Sequence, residues 1–186
     1  MTSNPATSPL PASSLTLEAT AFRERQVVAL RLGQEVYGID IALVHTVLVP
    51  QPITAVPKTP RAIRGVMNLR GRILPVVDLR TRFDLPPLPP EEAKAGRIVI
   101  IDAEGITAGL IVDGVSEVLS LDANLIEPPS DLLASGDAEL ITGIGRIPNR
   151  DAEDGRPRGL ILLLDVLKAL APARSLTSPE PAAVAA

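Results

Sequence analysis

The chain repeats itself. Shifting Val27–Leu48 by 71 positions lays VVALRLGQEVYGIDIALVHTVL on IVIIDAEGITAGLIVDGVSEVL, Ile98–Leu119, without a gap. Gly38 then meets Gly109, Val44 meets Val115, and Val47-Leu48 meets Val118-Leu119. Further along, Ile63-Arg64-Gly65-Val66 matches Ile141-Thr142-Gly143-Ile144, and ILPVVDL (Ile73–Leu79) matches LILLLDV (Leu160–Val166), with Asp78 over Asp165. The register drifts by insertion, the largest being PNRDAEDGRPR (Pro148–Arg158). A shared order of elements at a long period marks an internal duplication. It predicts two similar subdomains, approximately residues 25–83 and 97–171.

Each half reads as short strands. QVVALRL and RIVIID are Val/Ile-rich runs of strand length, each followed by a turn-forming glycine and a second strand. EVYGIDI and ITAGLIV carry a glycine mid-strand, which predicts a bulge or sharp bend. Helices are few and short. TPRAIRG predicts one turn, with Thr59 as N-cap, Pro60 first and Gly65 as terminator. DLRTRF and DVLKAL predict helices of about two turns, capped by Asp78 and Asp165. The fold expected is mainly β: two pseudo-symmetric small barrels of Greek-key type, packed on each other.

The repeat is flanked and divided by segments of different composition. Residues 1–24 and 172–186, rich in Pro, Ser, Thr and Ala, predict mobile tails. DLPPLPPEEAKAG (residues 84–96) predicts an extended Pro-rich linker, whose Pro86–Pro89 spacing reads as a connector before it reads as a ligand for an aromatic groove. The N-terminus shows neither the basic nor the apolar region of a signal peptide, and no apolar run reaches the length of a membrane span.

Composition closes off most chemistry. There is no cysteine, so disulfides, thiolate metal sites and cysteine nucleophiles drop out together. The one histidine, His45, lies in a strand pattern and can build neither a Ser/His/Asp arrangement nor a His-based metal site. Asp78 and Asp165 are explained as caps more simply than as paired acids. GIGR (Gly143–Arg146) lacks the lysine and the long helix of a phosphate loop. No catalytic residue, no metal site and no cofactor is expected; the chain reads as a binding module.

Charge narrows the partner. The net charge is −4, yet Lys58, Arg61, Arg64, Arg70, Arg72, Arg80 and Arg82 face only Asp78 between residues 58 and 82, a local +6. That predicts a face for an acidic or polar partner. Nucleic acid is disfavoured, since Phe22, Tyr37 and Phe83 are the only aromatics and the overall sign is wrong. A protein partner fits better. Gly71 supplies a positive φ at a turn and lifts Arg70 beside it, suited to pairing with a carboxylate or capping carbonyls. Gly65 and Gly114 would admit another backbone closely. Val44, Val47, Val115 and Val118 serve either as barrel core or as the apolar centre of an interface.

YGIDIALVHTVL, PKTPRAIRGVMNLRGRILPVVDLRTRF, GLIVDGVSEVLSL and LITGIG…GLILLLDVLKAL together closely resemble the CheW coupling-protein family of bacterial chemosensory systems, over about residues 25–171. The resemblance implies a pair of five-stranded SH3-like barrels around a common apolar core, without enzymatic activity. It implies two partners: the cytoplasmic hairpin tips of chemoreceptors (methyl-accepting chemotaxis proteins) and the regulatory domain of the histidine kinase CheA. It also implies a cytoplasmic location at receptor arrays, with membrane association only through receptors. Carried over, it makes Val44, Thr46, Gly65, Asn68, Arg70, Val115 and Val118 the receptor-binding candidates, with Gly71, Asp78 and Asp165 structural. The family usually has an acidic residue where this chain has Thr46, whereas Glu117 stands at the equivalent repeat position, so Arg70 is expected to lack its usual carboxylate neighbour. That departure and the Pro148–Arg158 insertion leave open a specialised pathway, such as pilus-based or surface motility, or a scaffold that has lost receptor binding.

Overall fold

The computed structural model describes residues 24–129, 138–149 and 157–177. Its strands are β1 (Glu24–Leu32), β2 (Glu35–Asp40), β3 (Val44–Leu48), β4 (Ile63–Leu69), β5 (Arg72–Asp78), β6 (Arg97–Ala103), β7 (Ile106–Val112), β8 (Gly114–Asp122), β9 (Ile141–Ile147) and β10 (Gly159–Leu164). Short helices are α1 (Leu79–Arg82), α2 (Pro90–Ala93), α3 (Val166–Ala169) and α4 (Ala171–Thr177). The expected tail at 1–24 lies outside the described residues up to position 23, as do 150–156 of the insertion and 178–186.

The strands form two five-stranded sheets, β8-β1-β2-β10-β9 and β3-β6-β7-β5-β4. Replacing each strand of the second by its counterpart in the repeat reproduces the order of the first, so the duplication is real and the sheets are pseudo-symmetric. The halves are nevertheless interleaved. The hairpin β1–β2 of the first half lies beside β8, β9 and β10, and the hairpin β6–β7 of the second lies beside β3, β4 and β5. The expected split at 25–83 and 97–171 therefore does not coincide with the two sheets. The exchange is made by four pairings: the antiparallel β1–β8 and β3–β6, and the parallel β2–β10 and β5–β7, in which Gly38 meets Leu163 and Gly109 meets Val76.

Close side-chain packing explains the mid-strand glycines. The β1–β2 and β6–β7 ladders run through Gly38 and Gly109 without a register shift, so neither residue makes the expected bulge. They provide room instead. A Cβ on Gly38 would stand 2.9 Å from Leu163 Cδ2, and one on Gly109 would stand 3.0 Å from Ile98 Cγ2.

Barrel closure is also less complete than expected. No ladder joins the first and last strand of either sheet. The chain beyond β3 bridges β4 at Thr54–Val66, and the chain beyond β8 bridges β9 at Glu127–Ile144. Each bridge carries two backbone hydrogen bonds of 2.8 and 2.9 Å. Prolines explain the short contact after β3, since Pro50 and Pro52 have no N–H to extend a ladder.

Three apolar clusters account for the sequence pattern. Val28, Leu30, Tyr37 and Ile39 from one sheet meet Val77, Val99, Ile101 and Leu110 from the other in a shared core. Val27, Ala29, Ile161 and Leu163 fill the inside of the first sheet, and Ile98, Ile100, Leu74 and Val76 that of the second. Alternate residues of β1 and β6 thus point into different cores, and strands buried on both faces read as unbroken apolar runs. Each such Val, Leu or Ile contributes roughly 1.5–3 kcal/mol by leaving water. Tyr37 and Phe83, ring centroids 5.0 Å apart, span the shared core.

The short elements follow local chemistry. Asp78 Oδ1 accepts the N–H groups of Arg80 and Thr81 at 3.0 and 3.3 Å, and Asp165 Oδ1 accepts that of Lys168 at 3.1 Å. Their own N–H groups donate to Ala62 and Leu140. The turn in TPRAIRG forms at Pro60–Ile63, but Thr59 donates its hydroxyl to Val56 O and does not cap it. Gly65 does not terminate it either, because it lies within β4. Within the linker, Asp84 has φ 48° and Leu85 N–H donates to Arg80 O, and one helical turn, α2, begins with Pro90. At the C-terminal end, α4 spans Ala171–Thr177 and buries Ala173 completely, so residues 172–177, expected in the tail, belong to the fold.

Candidate functional site

A bulge and a tight turn build the mouth of the second sheet. The register of β3 against β6 slips between Val44 and Thr46. Such an extra residue re-aims the side chain beside it. Facing it, β4 and β5 are joined by Arg70-Gly71 between the paired residues Leu69 and Arg72. Arg70 has φ 52° and Gly71 φ 85°, the two positive values that a two-residue hairpin of primed type needs. Asn68 Oδ1 accepts the Gly71 N–H at 2.8 Å and holds the turn. Gly71 was expected to take this conformation; Arg70 was not. A side chain in the left-handed region costs roughly 1–2 kcal/mol, and residues so placed concentrate at functional sites.

Thr46, Arg70 and Arg72 line one cleft of about 480 Å³, together with His45, Asp102 and Thr107 and an apolar floor of Leu48, Leu69, Leu74 and Ile100. Among the described residues, the Arg70 and Arg72 guanidinium groups make no ion pair. The candidates Thr46, Asn68 and Arg70 are therefore brought together, with Val44 two residues along the same strand.

The others lie elsewhere. Val115 and Val118 sit on β8, the edge of the other sheet, and line none of that cleft. Val44 and Val115 are half-buried against the shared core, while Val47 and Val118 remain exposed at 38% and 50%. Val44 and Val115 thus pack with the core, and Val47 and Val118 are left at the surface. Gly65 is buried, with φ 145°, and its space is taken by Thr54 and Ala55 of the same chain. The close backbone approach expected there is internal.

The cationic stretch does not make one face. Arg61 and Arg64 line a second cleft with Arg80 and the linker, about 20 Å from Arg70 by the rise of β4. Arg80 is consumed. It forms an ion pair with Asp113, the one buried charged residue among those described, and donates Nε–H to Pro86 O at 2.7 Å. Asp113 also accepts the Gly33 N–H at 2.6 Å, and its own N–H donates to Arg31 O. The pair thus fastens the end of one sheet to the first hairpin of the other. Asp113 escaped the sequence reading, although its signal was there: it alone interrupts the apolar run Leu110–Val115 apart from a glycine.

Among the described residues no group of three His, Cys, Asp or Glu is placed to hold a metal ion. No described helix is long and apolar enough to cross a membrane.

Comparison with known proteins agrees on what kind of protein this is. The model of the CheW-like domain matches residues 26–173. The chemotaxis protein CheW of Klebsiella aerogenes is 33% identical over 146 residues, covering 78% of this chain and 81% of that one. The chemotaxis protein CheW of Treponema pallidum is 32% identical over 123 residues, covering 65% and 72%. Among solved structures, the scaffolding protein TtCheW from Thermoanaerobacter tengcongensis superposes with a TM-score of 0.65 at 37% identity, over 77% of this chain and 85% of that one. With its two five-stranded sheets and its match over nearly the whole described region, this chain belongs to the CheW-like domain family of chemotaxis scaffolds.

Proposed function

We propose that the chain is a non-enzymatic adaptor that couples the cytoplasmic hairpin tips of chemoreceptors to the regulatory domain of the histidine kinase CheA, in arrays at the inner face of the membrane. The observation that carries this reading is Arg70, held unpaired at a positive φ beside Thr46 and over an apolar floor. An apolar bed with a cationic rim suits a helical hairpin laid against it. Val44, Val115 and Val118 extend the receptor-binding surface, and the sheet edges serve the kinase domain. Weak individual contacts suffice, because an array links many of them.

The test measures two affinities separately, for a receptor hairpin fragment and for the kinase regulatory domain. Arg70→Ala is expected to weaken receptor binding by about 1–3 kcal/mol, as for an arginine desolvated on docking, and to leave kinase binding unchanged. Receptor binding untouched by this change rejects the role given to Arg70.

A further inference from the structure

The repeat places the same mouth in both sheets and fills it differently. In the first sheet β8 slips against β1 between Val115 and Val118, opposite Val28 and Leu30, the same bulge that β3 makes against β6. Glu117 stands there where Thr46 stands in the other. Arg158, the residue before β10, takes the place of Gly71 before β5, and its guanidinium pairs with Glu117. One mouth therefore neutralises its arginine internally. The other presents Arg70 and Arg72 to solvent with a threonine at the position of the acid, and Asp102 is the one carboxylate lining the cleft.

We infer that the missing acid is supplied in trans: a glutamate or aspartate on the receptor hairpin enters the cleft over Thr46 and pairs with Arg70 and Arg72. This rests on the receptor-coupling reading above. A guanidinium that makes no ion pair, carried on a tight turn with a second one beside it in the cleft, is suited to bidentate pairing with an incoming carboxylate. Thr46 is short enough to leave the place of that carboxylate empty. The cleft suits a side chain projecting from a convex helical surface, whereas a kinase domain of the same fold would meet this chain along sheet edges. Thr46 thus sets specificity, favouring receptors that carry an acid at this point of contact.

The experiment is titration calorimetry of the full chain with the hairpin fragment of a chemoreceptor from the same organism, and separately with the kinase regulatory domain. Thr46→Glu refills the site internally and is expected to weaken receptor binding ~10-fold or more, while Thr46→Gln, of equal length without charge, changes it less than ~3-fold. Replacing the receptor's acidic residues one at a time by their amides should find one whose loss matches that of Arg70→Ala and adds nothing to it. This second arm decides the matter even where Thr46→Glu fails to fold. Equal or tighter receptor binding by Thr46→Glu, or no receptor acid coupled to Arg70, overturns the inference while leaving receptor coupling intact. A loss confined to the kinase domain overturns the choice of occupant. Failure of the unaltered chain to bind the receptor fragment overturns both the coupling reading and this inference.

Discussion

The two sheets of this molecule share strand order, bulge and closing bridge, and differ in what fills the equivalent places. Inside the second sheet Met67 and Ile100 occupy positions that in the first hold Gly145 and Ala29. The lost volume is restored by Leu121, which a Cβ on Gly145 would approach to 3.1 Å. Leu121 is available because β8 runs to Asp122, while its counterpart β3 stops at Leu48, two residues ahead of Pro50. The junction is equally lopsided. Arg80 and Asp113 form a buried pair, whereas the repeat puts Leu167 and Ala42 in their places. After duplication, an architecture can be kept while packing, charge and binding surface are redistributed between the copies.

Breaking the junction gives the largest expected effect. Arg80→Ala leaves the Asp113 carboxylate buried with only the Gly33 N–H for company, and should cost about 3–5 kcal/mol. Leu167 is half-buried and packs on the shared core from the counterpart position; Leu167→Ala should cost less, about 1–2 kcal/mol, because it removes methylenes and orphans no charge. Urea unfolding of both variants checks the difference. Equal losses would mean that the ion pair does not fasten the sheets.

The two closing bridges come next. Gly65 stands at positive φ, and a Cβ there would run into Thr54 O; a Cβ on Gly143, which has no positive φ, would stand 3.1 Å from Glu127 O and 2.7 Å from Ile126 Cγ2. Gly65→Ala combines backbone strain with a severe clash against main chain and should cost about 3 kcal/mol; Gly143→Ala, relieved by movement of the Ile126 side chain and a slight shift of Glu127 O, about 1–2 kcal/mol. Midpoints of urea unfolding measure both, and an exposed Thr54 amide in hydrogen exchange would show the bridge itself opening in the first variant.

Much of this difference could be read in advance, and some could not. The strands, the caps Asp78 and Asp165, the Arg70-Gly71 turn and the odd position of Thr46 against Glu117 are local or rest on comparing one half with the other, and both kinds of signal survive in the residues themselves. The exchange of hairpins is not local. Val27–Asp40 presents the same alternating apolar faces to either copy of β5 or β10, so propensity and pattern are satisfied equally whichever half supplies the partner. For the same reason Gly38 looked like a bend, since the Leu163 side chain that needs its space comes from the other half of the chain, whereas Gly109 makes room for Ile98 of its own half. Asp113 was legible only as an interruption, since its partner lies 33 positions away. The cationic stretch looked like one face because sequence distance hides that β4 carries Arg64 and Arg70 to opposite ends.

The smallest expected effect sharpens the comparison of the two mouths. Glu117 and Arg158 are about half exposed, with side-chain accessibilities of 47% and 56%. Water and salt screen such a pair, and holding two long side chains together costs entropy, so its net contribution should stay below about 1 kcal/mol. Glu117→Thr, which makes this mouth resemble the one at Thr46, is then expected to leave the unfolding midpoint nearly unchanged and to be insensitive to salt. A much larger loss would mean that the carboxylate helps hold the first sheet together, and Thr46 would then mark a stability deficit in the second sheet. A negligible loss means that a threonine at this place costs the fold nothing, so stability does not account for the bare Arg70 and the binding measurements decide its role.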